Sequence, residues 1–243
     1  MTDYMFDDVG ALDETQDQAD DIQDWARRIQ MSEHVSGLSR RAWLLLLLDQ
    51  AESLGQTPLS SYATHTIVYL AYALAPVFDI TAPDRAVLKT SQAPYFPELR
   101  WDLARLIAQG LLDSPALRRG VQPDEAPDAF VCTAAGRRLA RRLLASPRLR
   151  ATTPFLAEVA AAFAGADPDG RESLGLVDST YGVSLPTGAV IDYGDWDPAS
   201  EANYSYRTTE AFEAANQRRF PFSARDRVHL YVRYLTRRER RAS

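Results

Sequence analysis

Apolar residues gather into short periodic blocks separated by Gly and Pro, and each block sets an expectation. The segment from about Leu38 to Leu54 is apolar nearly all round through Ala42 to Leu48, which predicts a buried helix stopped by Gly55. After Thr57-Pro58 a second helix is predicted from Ser60 to Leu74, with Ile67, Leu70, Ala71 and Leu74 on one face and Pro76 at its end. Val77 to Lys89 is irregular, apart from a short strand expected at Arg85 to Lys89. Pro94 and Pro97 then lead into Leu99, Leu103, Leu106 and Ile107, whose i, i+4, i+7, i+8 spacing predicts a third helix ended by Gly110. Leu111-Leu112 begins a strand, the proline-bearing residues 113–128 read as a loop, and Ala129 to Thr133 reads as the returning strand. Thr133 is placed to cap a helix from Ala134 to Ala145.

Beyond Pro147 and Pro154 the pattern predicts a short apolar helix, Phe155 to Ala164, and a turn over Gly165 to Gly170. Residues 174–193 mix β-favouring residues with Gly and Pro and suggest one or two hairpins. Two helices close the chain, Thr208 to Gln217 and Ser223 to Arg238. The last has Val228, Tyr231, Val232 and Leu235 in one stripe, and Ser223 with Asp226 forms a capping box with Asp in place of Glu. The expected class is therefore α+β and mostly helical. Residues 1–33 are expected to be an acidic disordered tail, 38–146 a first domain, and 151–243 an α/β extension packed on it or on a partner.

The order over 42–145, three helices, strand, loop, strand, helix, is that of a winged helix-turn-helix. The passages APYFPELRWDLARLIAQGLL (93–112) and FVCTAAGRRLARRLL (130–144) resemble a prokaryotic group of winged-helix proteins. That group includes YwgA-like regulators, phage-associated and antitoxin-related proteins, and middle components of three-gene antiphage systems. Ala93 stands where many of them have Gly, and Cys132 precedes the Thr that leaves the wing. The resemblance implies a winged-helix fold used for DNA binding or protein assembly in bacterial cytoplasm. It does not reach residues 151–243.

Charge adds detail. Residues 1–24 hold nine acids and no Lys or Arg, so the remaining 24 acids face 27 basic residues, a net of +3. Lys89 is the only lysine, a bias that a GC-rich genome explains. On the third helix the residues off the apolar stripe are Glu98, Arg100, Trp101, Asp102 and Arg105, two bases against two acids. Such a face suits a protein interface at least as well as DNA phosphates, and Trp101 fits either an interface or the core. The helix after the wing carries Arg137, Arg138, Arg141 and Arg142 on one face, with Leu139, Leu143 and Leu144 opposite. A second basic patch runs from Arg218 and Arg219 through Arg225, Arg227, Arg233, Arg237, Arg238, Arg240 and Arg241, against Asp226 and Glu239. Each patch alone reads as a solvated helix face. Together they point to double-stranded DNA or an acidic partner, for which the acidic tail is a candidate competitor.

Catalytic and metal signatures are sparse. His34, His65 and His229 have no zinc-like spacing with each other or with Cys132, and there is no phosphate loop or nucleophile elbow. Asp167-Pro168-Asp169-Gly170 lacks the first and last ligands of a calcium loop and reads as a turn. Asp192, Asp195 and Asp197 are a weak candidate Mg²⁺ or acid/base cluster, more simply an acidic turn. A single cysteine excludes an intramolecular disulfide, and Cys132 reads as a small buried wing residue. With no apolar run long enough for a bilayer and no basic-apolar leader pattern at Met1 to Tyr4, the expected setting is the cytoplasm, away from membranes. The sequence therefore predicts a non-catalytic winged-helix subunit of a multiprotein system, without cofactor, with protein partners and a homodimer as a further option. A DNA-binding regulator or antitoxin is the alternative, and a metal-dependent enzyme a distant third.

Overall fold

Twelve consecutive residues of one helix, Ala63 to Leu74, are buried, and they form the centre of the hydrophobic core of the described residues. The computed structural model describes residues 37–84, 86–115, 129–182, 185–192, 203–216 and 221–242. Residues 1–39 group as a unit of their own, of which 37–39 are described; residues 40–243 form a second compact unit. The chain is α+β and mostly helical. Among the described residues it has seven α-helices: α1 (37–53), α2 (Ser61–Leu74), α3 (Pro97–Ala108), α4 (Ala134–Leu144), α5 (Thr152–Ala164), α6 (Tyr204–Asn216) and α7 (Ala224–Ala242). The strands are β1 (Leu59–Ser60), β2 (Ala86–Leu88), β3 (Leu112–Asp113), β4 (Ala129–Cys132) and β5 (Val190–Asp192).

Helix α2 differs from its one-sided sequence pattern because α5, α6, β1 and the 3₁₀ turn Glu172–Gly175 cover it from several directions. Its polar residues survive burial because each finds a partner. Thr64 Oγ1 donates to the Ser60 carbonyl at 2.8 Å, Thr66 Oγ1 donates to the Glu172 carbonyl at 2.8 Å, and His65 Nδ1 accepts from the Phe96 N–H at 3.1 Å. Ser60 caps the helix, its Oγ accepting from the Ala63 N–H at 3.0 Å. In α1, Trp43 and Leu44 to Leu48 are all buried, as their apolar run predicts, and Gly55 leaves the helix with φ of 72°. Each such side chain removed from water contributes roughly 1.5–3 kcal/mol.

Two small antiparallel sheets tie distant segments together. In one the order is β1, β4, β3, with Leu59 opposite Phe130 and Leu112 opposite Cys132. β1, only two residues long, is too short to leave a period in the sequence. In the other, β5 pairs with β2 and sets Ile191 opposite Val87. The hairpins expected in 174–193 are thus corrected: among the described residues this stretch forms a 3₁₀ turn, further turns and one strand that pairs back with β2. The β-favouring residues there serve a long-range pairing, which local pattern cannot distinguish from a hairpin. Both predicted caps form: Thr133 Oγ1 accepts from the Gly136 N–H at 3.0 Å, and Ser223 and Asp226 exchange bonds, with Ser223 N–H to Asp226 Oδ2 at 3.0 Å and Asp226 N–H to Ser223 Oγ at 3.2 Å.

The core continues from 40–144 into the later helices without a break. α5 packs on α2 and α7, and α7 lays Val228, Tyr231, Val232 and Leu235 into the same core. One polar cluster crosses it. Asp178, fully buried, accepts hydrogen bonds from the hydroxyls of Tyr69 on α2, Ser205 on α6 and Tyr231 on α7. It also accepts from the N–H groups of Thr180 at 2.8 Å and Tyr181 at 3.2 Å.

His65 makes stability depend on pH. Burial lowers its pKa from 6.5 to about 4, so the folded state keeps it neutral while the unfolded chain gains a proton on acidification. Its contribution is complete above pH 6.5 and is lost as pH falls towards 4. Urea unfolding at pH 7 and at pH 4.5 is expected to show an acid loss about 2–3 kcal/mol smaller in His65→Asn than in the parent protein. Equal acid losses would remove His65 from this role.

Candidate functional site

Helix α3 turns one side into the core and the other outward. Pro94 and Pro97 set its start, with Pro97 in the first turn, where a missing N–H costs nothing. Leu99, Leu103 and Leu106 are buried, and Ile107 is half-buried against the core. Trp101 is on the opposite side and 68% exposed, which excludes the core reading of this residue. At 3.6 residues per turn, Ala104 and Ala108 fall beside it, leaving the indole uncovered, and Arg100 and Arg105 flank it on either hand. All four of these neighbours are exposed.

Asp102 does not join this face. Its side chain is only 1% exposed, with Arg40 Nε 2.9 Å from Oδ2 and Arg41 Nη1 2.9 Å from Oδ1. The outward placement expected from sequence is therefore corrected. Asp102 sits on the edge of the apolar stripe, three residues after Leu99 and four before Leu106, where α1 reaches it with two guanidiniums. Burial is the largest single influence on Arg40 and works against its charge, but the hydrogen bond to Asp102, the charge of Asp102, and Tyr72 and Asp84 together outweigh it and the pKa is raised. The exposed charge of α3 becomes Arg100 and Arg105 against Glu98. Arg105 stays 64% exposed although its Nη1 lies 4.0 Å from Asp102.

Helix α4, which follows β4 in the chain, is tied to the end of α3. Thr133 Oγ1 donates to the Gly110 carbonyl at 2.6 Å, and a Cβ on Gly136 would lie 2.1 Å from the Leu111 carbonyl oxygen, so only Gly allows this approach. Of its four arginines, Arg137 is occupied: Nη1 pairs with Glu52 at 2.5 Å and donates to the Cys132 carbonyl at 2.9 Å. Arg138, Arg141 and Arg142 are exposed, and none has an ion-pair partner among the described residues. Nearby Asp49 has its pKa raised by burial and by Glu52, with Arg137 and Arg141 opposing, so the arginine row borders an acidic edge of α1. Cys132 is buried, and its thiol is pushed up to about 12 by that burial, which leaves it unreactive.

The C-terminal basic patch is partly committed to structure, although Arg233, Arg237 and Arg241 are exposed. Arg225 pairs with Glu158 at 3.1 Å, Arg227 with Glu213 at 3.3 Å and Arg240 with Asp167 at 3.1 Å, while Arg238 lies over the Tyr234 ring. Arg218 and Arg219 lie outside the described residues, as do Asp195, Asp197 and the acidic segment 1–33. Asp192 is in β5, and among the described residues no group of three His, Cys, Asp or Glu is placed to hold a metal ion. No helix there is long and apolar enough to cross a membrane. Sequence reasoning missed the Asp178 cluster and the Arg40–Arg41–Asp102 group. The only local signal for the first is Asp178 followed by Ser and Thr, a turn-forming pattern.

No protein family, curated protein or solved structure matches this chain.

The two sides of α3 separate by mutation. Asp102→Ala leaves Arg40 and Arg41 without their shared carboxylate and is expected to cost about 3 kcal/mol in urea unfolding. Trp101→Ala is expected to change stability by less than about 0.5 kcal/mol, because the indole covers little of the core. A large loss in Trp101→Ala would mean that this residue serves folding.

Proposed function

We propose that this chain is a non-catalytic winged-helix subunit of a prokaryotic multiprotein system, of the three-gene antiphage kind implied by its resemblance, acting as an assembly or DNA-proximal adaptor. The winged-helix reading is supported by the element order α1, β1, α2, β2, α3, β3, β4, α4, in which β2 is an addition that pairs with β5, and by the antiparallel sheet order β1, β4, β3. The observation that carries the assembly role is Trp101, a large aromatic held outward on a rigid helix between two arginines. Trp and Arg are the residues on which protein interfaces most often concentrate their binding energy.

A second reading, a DNA-binding regulator or antitoxin, gains from the burial of Asp102. With that carboxylate withdrawn, α3 offers Arg100 and Arg105 against a single exposed acid. The two readings part in a salt series with a generic duplex. Under the assembly reading, binding is weak and equally so in Arg100→Ala/Arg105→Ala and in Arg138→Ala/Arg141→Ala/Arg142→Ala. Micromolar binding that falls steeply with salt and is lost in either variant would give the chain to DNA.

A further inference from the structure

Helices α6 and α7 pack side by side, and a groove of 410 Å³ opens along their outer edge. Its floor is apolar: Phe212 and Ala215 from α6, Phe222 from the connection, and Leu230 from α7. An adjoining hollow of 320 Å³ shares Phe222, Leu230 and Arg233 and so continues the groove towards the start of α7. Phe212, Phe222 and Leu230 are each half-buried and keep part of their surface in water.

The rim is basic. Arg233 and Arg237 line the groove one helical turn apart, are exposed, and have no ion-pair partner among the described residues. Asp226, which lines the adjoining hollow, is engaged with its own helix start, where Oδ2 accepts from the Ser223 N–H at 3.0 Å and the Ser223 hydroxyl at 2.6 Å. Arg225 and His229 meet on Glu158. α7 as a whole carries seven arginines against two acids.

This combination selects its occupant. An apolar floor needs inserted aliphatic or aromatic side chains, which a phosphate backbone does not have. Two cations spaced by one turn match carboxylates spaced by one turn on a facing helix. We propose that the groove is the docking site for an acidic amphipathic helix of a partner protein.

The test is fluorescence anisotropy with a labelled amphipathic peptide of about five helical turns, Leu and Phe on one face and Asp and Glu on the other. A peptide of identical composition, permuted so that no apolar face forms, and a labelled single-stranded oligonucleotide serve as controls. The expected result is micromolar binding of the amphipathic peptide, with affinity at least about tenfold weaker for the permuted peptide and in Arg233→Glu/Arg237→Glu. Because both arginines are exposed, this variant is expected to melt with the parent protein, and Leu230→Ser provides a second, charge-neutral disruption. Trp101→Ala is expected to leave peptide binding unchanged, so failure here is separable from failure of the α3 interface. Equal affinity for both peptides, no loss in the arginine variant, no binding, or tighter binding of the oligonucleotide would overturn the proposal.

Discussion

A carboxylate shut away from water is tolerable only where donors surround it, and Asp178 shows what that requirement does to a fold. Its two oxygens draw in hydroxyls from α2, α6 and α7 and two N–H groups of its own turn. The donors come from positions as far apart as Tyr69 and Tyr231, so the bonds form together only when all three helices are seated. Burial and the facing Asp178 hold the Tyr231 hydroxyl well above its ordinary pKa, which keeps it a donor. Replacing any one partner strands the others in the core, where each unmet polar group costs about 1–3 kcal/mol. The chain beyond residue 151 is thereby locked to α2, and the helix that carries strand β1 at its start is the one that α5 and α6 cover.

The same logic operates on a smaller scale at Asp102, which joins α3 to α1 through Arg40 and Arg41. A helix held from behind by an ion-pair group and by Leu99, Leu103 and Leu106 does not need its outer side for stability. That side is free to carry Trp101, Arg100 and Arg105. The contacts that hold this short helix thus lie on one side of it, and a single carboxylate changes sides relative to what charge counting suggests.

Much of this architecture is legible in the residues. Apolar period, Gly55 and Gly110 at helix ends, and the Thr133 and Ser223 caps locate the helices to within a few residues, because each is a local rule. The pairing of β2 with β5, the two-residue strand β1 and the Asp178 cluster are not legible, because each joins positions far apart and leaves no period. The candidate site was half visible. Arg100, Trp101 and Arg105 emerge from the helical spacing alone, whereas the committal of Arg137 to Glu52 and of Arg227 to Glu213 depends on helices that the sequence does not show to be neighbours.

The proposed role of this protein is to present surfaces to partners. Its most direct test is affinity purification of the full chain, expressed at its natural level in its own cells, beside Trp101→Glu. The expected result is a stoichiometric protein partner with the parent chain and none with the variant, while both chains melt at the same temperature. A parent chain that elutes without any protein partner, or a variant that retains the partner in full, would contradict it.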